Sequence, residues 1–131
     1  KTVTIVTTKS PKALFGAPGF KEYENSIVKE KFTVFEGSAI EAVKLFPSNL
    51  NVSATISMAG IGPERTRVKV IADPNLSDNI HEIYVTSEAG DFMFKFQNKP
   101  HRTNKKTSFL AILAAIETLR SISESKLLVG T

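Results

Sequence analysis

The sequence predicts an α+β domain in which a mixed, largely antiparallel sheet carries helices packed on one face. Period-two strand patterns are grouped along the chain, and helical patterns lie to either side of them without strict strand–helix alternation. The composition agrees, because 131 residues with 41 % hydrophobic and 23 % charged residues suit one folded domain. We therefore expect residues 1–131 to form a single domain.

Several segments predict strands. The first, "TVTIVTT", is rich in alternating β-branched residues, and "KFTVFEG" has the same character. Further along, "TRVKVIA", "NIHEIYV" and "FMFKF" have period-two patterns, and "EAGD" suits a hairpin turn between the last two. We expect these three later strands to form an antiparallel meander, with Phe92, Phe94 and Phe96 in the core.

Helices are predicted between and after the strands. Ser38 and Glu41 have capping-box spacing at the start of an apolar stripe. The segment "NLNVSATISMAGIG" predicts a second helix that Asn49 or Asn51 can cap and Gly60 can end, and its small side chains let a neighbour or a flat ligand approach closely. The segment "TSFLAILAAIETLRSI" predicts the longest helix. Before these, "SPKALFGAPGFKE" indicates a long loop with a helical turn.

The composition excludes several classes of function. Without cysteine the chain has no disulfide, thiolate metal site or cysteine nucleophile, and it has neither a secretory signal pattern nor an apolar run long enough to span a membrane. We expect a cytoplasmic protein with no membrane partner. Charges of both signs are interleaved except in "HRTNKK" (101–106), which suits a small anion better than a nucleic acid.

Two segments resemble binding motifs and one pair of residues resembles metal ligands, but each departs from the pattern that binding requires. "GIGPER" imitates a dinucleotide fingerprint, but Arg65 stands where the third glycine belongs. "DPNLSDNIHEIY" imitates a calcium loop, but Asp78 replaces the turn glycine and Tyr84 replaces the bidentate glutamate. His81 and Glu82 point to opposite strand faces, so we expect no metal site.

His81 is the first candidate for chemistry. It shares a strand face with Ile83 and Val85, beside the polar turn "DPNLSDN". A histidine in such a place is more often hydrogen-bonded across the sheet than catalytic, yet its pKa range also suits general acid–base work. Asn51, taken alone, is a helix cap. Lys106 and the amides at the start of the last helix belong either to a solvated loop or to a site for a carboxylate or phosphate.

Three segments, in order, carry a resemblance to a known family. "FEGSAIEAVKLFPSNLNVSATISMAGIG", "TRVKVIADPNLSDNIHEI" and "NKKTSFLAILAAIETLR" closely resemble the C-terminal domain of L-aspartate dehydrogenases, and the likeness runs from about residue 1 to beyond residue 120. One departure is visible, because Lys105 stands where the family pattern Asn-Pro-Lys-Thr-Ser has proline.

The resemblance implies a two-domain enzyme. An N-terminal Rossmann domain, absent from this chain, would bind NAD or NADP. The domain formed by residues 1–131 would supply the catalytic residues and the contact of a homodimer. The implied reaction is oxidative deamination of L-aspartate to iminoaspartate, which hydrolyses to oxaloacetate and ammonia and in some organisms feeds NAD biosynthesis. On this interpretation the chain alone has little or no dehydrogenase activity.

The resemblance also implies site residues. The histidine of "NIHEI", His81, corresponds to the catalytic residue, and the second asparagine of "NLNV", Asn51, to a contact of the nicotinamide cofactor. The implied substrate has two carboxylates that need hydrogen-bond donors. We expect Asn79 to reach the active-site cleft and to be one of these donors. We also expect a clamp for one carboxylate at the start of the last helix, made by Lys106, Thr107 and Ser108.

Other classes of function stay open at this point. One alternative is a non-enzymatic module that binds a small carboxylate or dimerises, and another is part of a dehydrogenase for a different small amino or hydroxy acid. A nucleic-acid binder using residues 101–106 lacks a groove-reading motif and a stacking platform. The choice between NAD and NADP depends on a residue of the expected Rossmann domain.

Overall fold

A computed structural model of the chain describes residues 1–99 and 109–123. Strands and helices follow one another along the chain without strict alternation, as predicted for an α+β domain. In chain order they are β1 (Thr2–Lys9), α1 (Pro11–Leu14), a 3₁₀ helix (Pro18–Tyr23), β2 (Phe32–Ser38), α2 (Ala39–Leu45), α3 (Asn51–Ala59), β3 (Arg67–Ala72), β4 (Asn79–Ser87), β5 (Gly90–Asn98) and α4 (Phe109–Ser123).

The five strands form one mixed sheet in the order β2-β3-β1-β4-β5. β1 lies at the centre, parallel to β3 and antiparallel to β4, and the other neighbours are antiparallel. The predicted fold class is therefore confirmed. The predicted meander of the last three strands is wrong, because β1 lies between β3 and β4. Period-two patterns identify a strand's buried face but do not identify its neighbour in the sheet.

One face of this sheet holds the hydrophobic core. Ile5 of β1 and the valines of β3 are fully buried there, and α1, the 3₁₀ helix and α2 pack over them. Phe20 and Phe46 are the largest fully buried side chains, each contributing roughly 2–3 kcal/mol by leaving water. The opposite face is polar and carries the ion pairs Lys69–Glu36 (3.4 Å) and Lys95–Glu82 (3.2 Å).

The predicted capping box of α2 is confirmed. The Ser38 amide donates to Glu41 Oε2 (2.9 Å), and the Glu41 amide donates to Ser38 Oγ (3.4 Å). The Ser38 hydroxyl also donates to Glu41 Oε2 (2.6 Å), and this bond, followed by the one from the Ser38 amide, holds the pKa of the Glu41 carboxyl below its usual value. A polar side chain three residues after the cap therefore fixes where β2 ends and α2 begins.

The predicted cap of α3 is wrong, although the helix itself is confirmed and Gly60 follows its last residue. Leu50 occupies the cap position, and no side chain accepts a hydrogen bond from the first turn. Asn49 instead donates from Nδ2 to the carbonyl of Ala13 (2.7 Å). Asn51 is already the first helical residue, so its side chain does not serve as the cap.

The described part of β5 and α4 leaves large hydrophobic side chains exposed. Phe92, Phe94 and Phe96 are 46, 49 and 44 % exposed, so the prediction that they fill the core is wrong. They do share the core-facing side of the sheet, but no described element covers them. Leu110, Leu113, Ile116 and Leu119 of α4 are exposed as well. Within the ranges 1–99 and 109–123, no helix has the length and hydropathy that crossing a bilayer requires.

Candidate active site

Four buried polar residues gather where β1 ends and β4 begins. In the β1–β4 register Thr7 lies opposite His81 and Thr8 opposite Ile80, and directly after this last pair β1 ends at Lys9 and β4 begins at Asn79. The four polar side chains share the core-facing side of the sheet, because residues two apart in a strand point the same way. Thr7 is fully buried, and Lys9, Asn79 and His81 are each only 6 % exposed. These four residues form a polar cluster, called the polar pocket below, that interrupts the hydrophobic core at this end of the sheet.

His81 is held by a hydrogen bond across the two strands. Its Nδ1 lies 3.1 Å from Thr7 Oγ1, and both groups are buried. If the hydroxyl donates to Nδ1, the ring proton of the neutral imidazole is on Nε2, and the reverse holds for the other tautomer. Burial, and secondly the positive charge of Lys9, lower the pKa of His81 to about 4. The ring is therefore neutral at pH 7 and able to accept a proton.

Lys9 is a site residue that the sequence analysis missed. Burial lowers the pKa of its ammonium to about 8, so it still carries a positive charge at pH 7. Among residues 1–99 and 109–123, no carboxylate forms an ion pair with it. The sequence did contain a signal. In "TVTIVTTK" the inward positions are Val3, Ile5 and Thr7, and the next inward position is a lysine.

The turn at residues 73–78 joins β3 to β4 across the end of β1, next to the polar pocket. The amide of Asp73 donates to the carbonyl of Lys9 (2.9 Å), which ties the turn to the strand. The Asp73 carboxylate accepts from the amide of Asn75 (2.9 Å), and the Asp78 carboxylate accepts from Gln97 Nε2 (2.9 Å). Both carboxylates therefore organise the turn. In the part of the chain that the structure describes, no three potential metal ligands are grouped.

Asn51 lies at the exposed start of α3. Its side-chain amide makes no hydrogen bond to any residue within 1–99 or 109–123. The Asn49–Ala13 hydrogen bond fastens the segment before α3 to α1, which begins two residues after Lys9. The start of α3 is therefore anchored near the end of β1, the end of the strand at which the pocket lies.

The structure brings together some of the predicted site residues. His81 and Asn79 meet in the pocket, and Thr7 and Lys9 join them. Asn51 lies at the start of α3, outside this buried group, and its amide has no hydrogen-bond partner among the described residues. The predicted carboxylate clamp of Lys106, Thr107 and Ser108 lies outside the described residues.

The rejected motif "GIGPER" forms a turn that supports the fold. It follows α3, and its Gly62 has φ 93°, a left-handed conformation that glycine adopts without strain. The amide and hydroxyl of Thr66 both donate to the Gly62 carbonyl, and the Thr66 carbonyl accepts from the amide of Ala39 at the start of α2. The segment therefore joins α3, β3 and α2.

A neutral imidazole beside a buried ammonium is a combination that binds an anion and moves a proton. The fold and these residues thus define an α+β domain with a candidate site for anion binding and proton transfer. Residues 1–122 match the family described as "Aspartate dehydrogenase, C-terminal". The chain belongs to this family, and the resemblance seen in the sequence is confirmed.

Individual relatives agree with the family. The chain is 57 % identical to an L-aspartate dehydrogenase of Methanosarcina mazei over 122 residues, which are 92 % of this chain and 45 % of the relative. It is 41 % identical to the L-aspartate dehydrogenase of Nitrosopumilus maritimus over 133 residues, covering 100 % of this chain and 49 % of the relative. The chain thus spans about half the length of the relatives it matches.

A solved structure has the same fold. The crystal structure of aspartate dehydrogenase from Thermotoga maritima superposes with a TM-score of 0.65 at 35 % sequence identity. The match covers 99 % of this chain and 47 % of that one. The α+β architecture is therefore similar across nearly the whole chain.

Proposed function

We propose that this chain is the catalytic domain of an NAD(P)-dependent L-aspartate dehydrogenase. The enzyme oxidises L-aspartate to iminoaspartate, which hydrolyses to oxaloacetate and ammonia. One observation carries the proposal: a chain of this family places His81, neutral at pH 7, in a buried polar pocket beside a positive charge. Because the chain spans about half of its relatives, we assign cofactor binding to an N-terminal Rossmann domain.

Asn51 is the residue that we expect to contact the cofactor. Its exposed amide is not used as a helix cap and can both donate to and accept from a carboxamide or ribose. Several residues that follow it in α3, among them Ser53, Ala54 and Ser57, are small, so a flat ring can approach that side of the helix closely. These features fit a nicotinamide nucleotide. When bound, NAD or NADP supplies the hydride acceptor, and the protein supplies orientation and proton handling.

His81 is the residue that we expect to handle the proton. The substrate ammonium has no lone pair and must lose a proton before Cα can give up its hydride, and the later attack of water on the imine requires another proton acceptor. The neutral ring of His81 can accept either proton. For Nε2 to accept the proton, Nδ1 must carry the ring proton and donate it to Thr7 Oγ1, so Thr7 orients the ring in the tautomer whose Nε2 lone pair is free.

The substrate-binding groups complete the proposal. Asn79 lies two residues from His81 on the same strand face and offers an amide to the substrate. We expect Lys106, Thr107 and Ser108 to bind one carboxylate at the start of the last helix. In the cell, we propose that the enzyme works in the cytoplasm and that its imino acid product feeds NAD biosynthesis.

A homodimer is also proposed, and the exposed phenylalanines of β5 support it. β5 is an edge strand, and about half of the surface of Phe92, Phe94 and Phe96 is exposed. An apolar surface of this kind on an edge strand favours pairing with a second copy of the chain. Phe94→Lys is expected to reduce the mass measured by sedimentation equilibrium to that of the monomer. Lys95→Met, a change at the neighbouring position, is the control.

The activity test uses a fusion enzyme in which this chain replaces the matching 122-residue segment of the Methanosarcina mazei L-aspartate dehydrogenase. We expect it to oxidise NADH or NADPH with oxaloacetate and ammonium, and to reduce NAD or NADP with L-aspartate. Pyruvate and other small keto acids test whether a different amino acid is the substrate. The absence of activity with every substrate in a correctly folded fusion would count against the proposal.

Two variants separate catalysis from folding. His81→Ala is expected to lower turnover by about 10²–10⁴-fold, the usual contribution of a general base. Glu82→Gln changes the adjacent residue, whose side chain points to the polar face and pairs with Lys95. It is expected to leave turnover unchanged. A His81→Ala enzyme with near-normal turnover would contradict the role assigned to His81.

A further inference from the structure

The side chain of Lys9 lies close to the imidazole of His81. Thr7 and His81 are direct cross-strand neighbours, and Lys9 is the next inward residue of β1, which makes it a diagonal neighbour of His81. Side chains in diagonal positions start roughly 7–8 Å apart, a gap that the long stem of lysine can close. The ammonium is therefore in the same pocket as the imidazole, and its charge acts on the ring.

The ammonium of Lys9 has no counter-charge among the described residues. The lysines that form ion pairs there, Lys69 and Lys95, do so on the opposite, solvated face of the sheet. Lys9 is nearly completely buried and has no carboxylate partner among residues 1–99 and 109–123. A buried charge without a partner destabilises a protein. A bound ligand of opposite charge would complete the pair and compensate this cost.

We propose that Lys9 binds a carboxylate of the dicarboxylate substrate, next to His81. The assignment of the substrate rests on the proposed function, whereas the binding of a dicarboxylate does not depend on catalysis. Asn79 begins β4 directly after the last β1–β4 pair, where β1 ends at Lys9, and it offers a second donor to the same anion. The pocket thus selects acidic substrates by charge, and it does so at the position where the proton is transferred.

This arrangement couples substrate binding to the basicity of His81. Burial and the charge of Lys9 both keep the imidazole neutral in the free domain. A bound carboxylate offsets the charge of Lys9, so the pKa of the ring rises when substrate arrives. His81 therefore becomes a stronger base only when the substrate is in place.

The kinetic test compares three changes of lysine in the fusion enzyme. Lys9→Met is expected to raise the KM for oxaloacetate by roughly 10- to 150-fold, the usual worth of a hydrogen bond to a charged group. Lys9→Arg keeps the charge and is expected to recover part of this loss. Lys69→Met removes a lysine from the solvated face and is expected to change nothing. A Lys9→Met enzyme with a KM within twofold of the unsubstituted fusion overturns the proposal.

A binding test separates this inference from the proposed reaction. Succinate, an inert dicarboxylate, is expected to raise the melting temperature of the fusion enzyme and of Lys69→Met, but not of Lys9→Met. Succinamide, which has no charge, is expected to raise none of them. If the fusion is inactive but succinate still discriminates in this way, the reaction is wrong and Lys9 remains an anion-binding residue. If succinate stabilises Lys9→Met as much as the unsubstituted fusion, the role of Lys9 is wrong even in an active enzyme.

The melting temperature of the ligand-free Lys9→Met variant shows whether the variant folds. Because the ammonium is buried without a described partner, Lys9→Met is expected to have a melting temperature at or above that of the unsubstituted fusion in the absence of ligand. Lys9→Gln, a polar neutral variant, is expected to lose succinate binding in the same way if methionine perturbs packing. Succinate binding by a folded Lys9→Gln variant with undiminished affinity would also overturn the proposal.

Discussion

Acid should destabilise this domain through His81. In the folded chain the pKa of the ring is lowered to about 4, whereas in the unfolded chain it returns to 6.5. As the pH falls, the unfolded state therefore takes up a proton first, and the free energy of unfolding decreases. The contribution of His81 is fully present above about pH 6.5 and is lost as the pH falls towards 4.

The magnitude follows from the two pKa values. Between pH 7 and pH 4.5, the loss attributable to His81 is about 2.4 kcal/mol, a large share of the stability of a small domain. Lys9 is the charged group that the structure places against the ring, and its pKa of about 8 leaves it protonated through most of this range. The loss over this window is therefore assigned mainly to the imidazole.

The assay is urea unfolding of the chain at a series of pH values, followed by far-ultraviolet circular dichroism. His81→Gln keeps a polar side chain that does not titrate, so the difference between the two proteins isolates the imidazole. The unsubstituted chain is expected to lose about 2.4 kcal/mol more than His81→Gln between pH 7 and pH 4.5. Parallel losses in both proteins would refute the claim that folding keeps His81 neutral.

Three further predictions concern other parts of the domain. Thr7→Val removes the hydroxyl that orients His81 and is expected to lower the turnover of the fusion enzyme by up to about tenfold, the worth of one neutral hydrogen bond, while Thr7→Ser retains most of it. Asn51→Ala is expected to raise the KM for the nicotinamide nucleotide by about tenfold. Because Asn51 caps no helix, the unfolding free energy of the Asn51→Ala variant should stay within about 0.5 kcal/mol of that of the unsubstituted protein. Phe20→Ala, in the core, is expected to cost about 3–5 kcal/mol in urea unfolding, whereas Leu119→Ala on exposed α4 should cost far less.

The local features of the fold were predictable because they depend on neighbours in sequence. The capping box of α2 requires only a serine and a glutamate three residues apart, and it is present as predicted. The strands containing Ile5, Val68 and His81 were predicted from alternation, which depends only on which face is buried. The inward orientation of His81 follows from the same alternation and is confirmed.

Features that depend on the arrangement of distant segments were predicted less well. The alternation of "TRVKVIA" gave no sign that β1 would lie between it and β4, because a strand's pattern is the same for either neighbour. Phe94 was expected in the core, but a β5 strand at the sheet edge is left without a described covering element. The cap of α3 failed because Asn49 is used for a bond to the distant residue Ala13.

The sequence by itself determined the family, the strand face of His81 and the polar turn at residues 73–78, since each depends on a short contiguous pattern. Only the tertiary structure decided that Lys9, 72 positions before His81 in the sequence, lies in the same pocket. The reason is physical: the pairing of β1 with β4 sets which side chains become neighbours, and burial then changes their charges. A histidine that was ordinary as a strand residue thus becomes a neutral base next to a cation without a described partner.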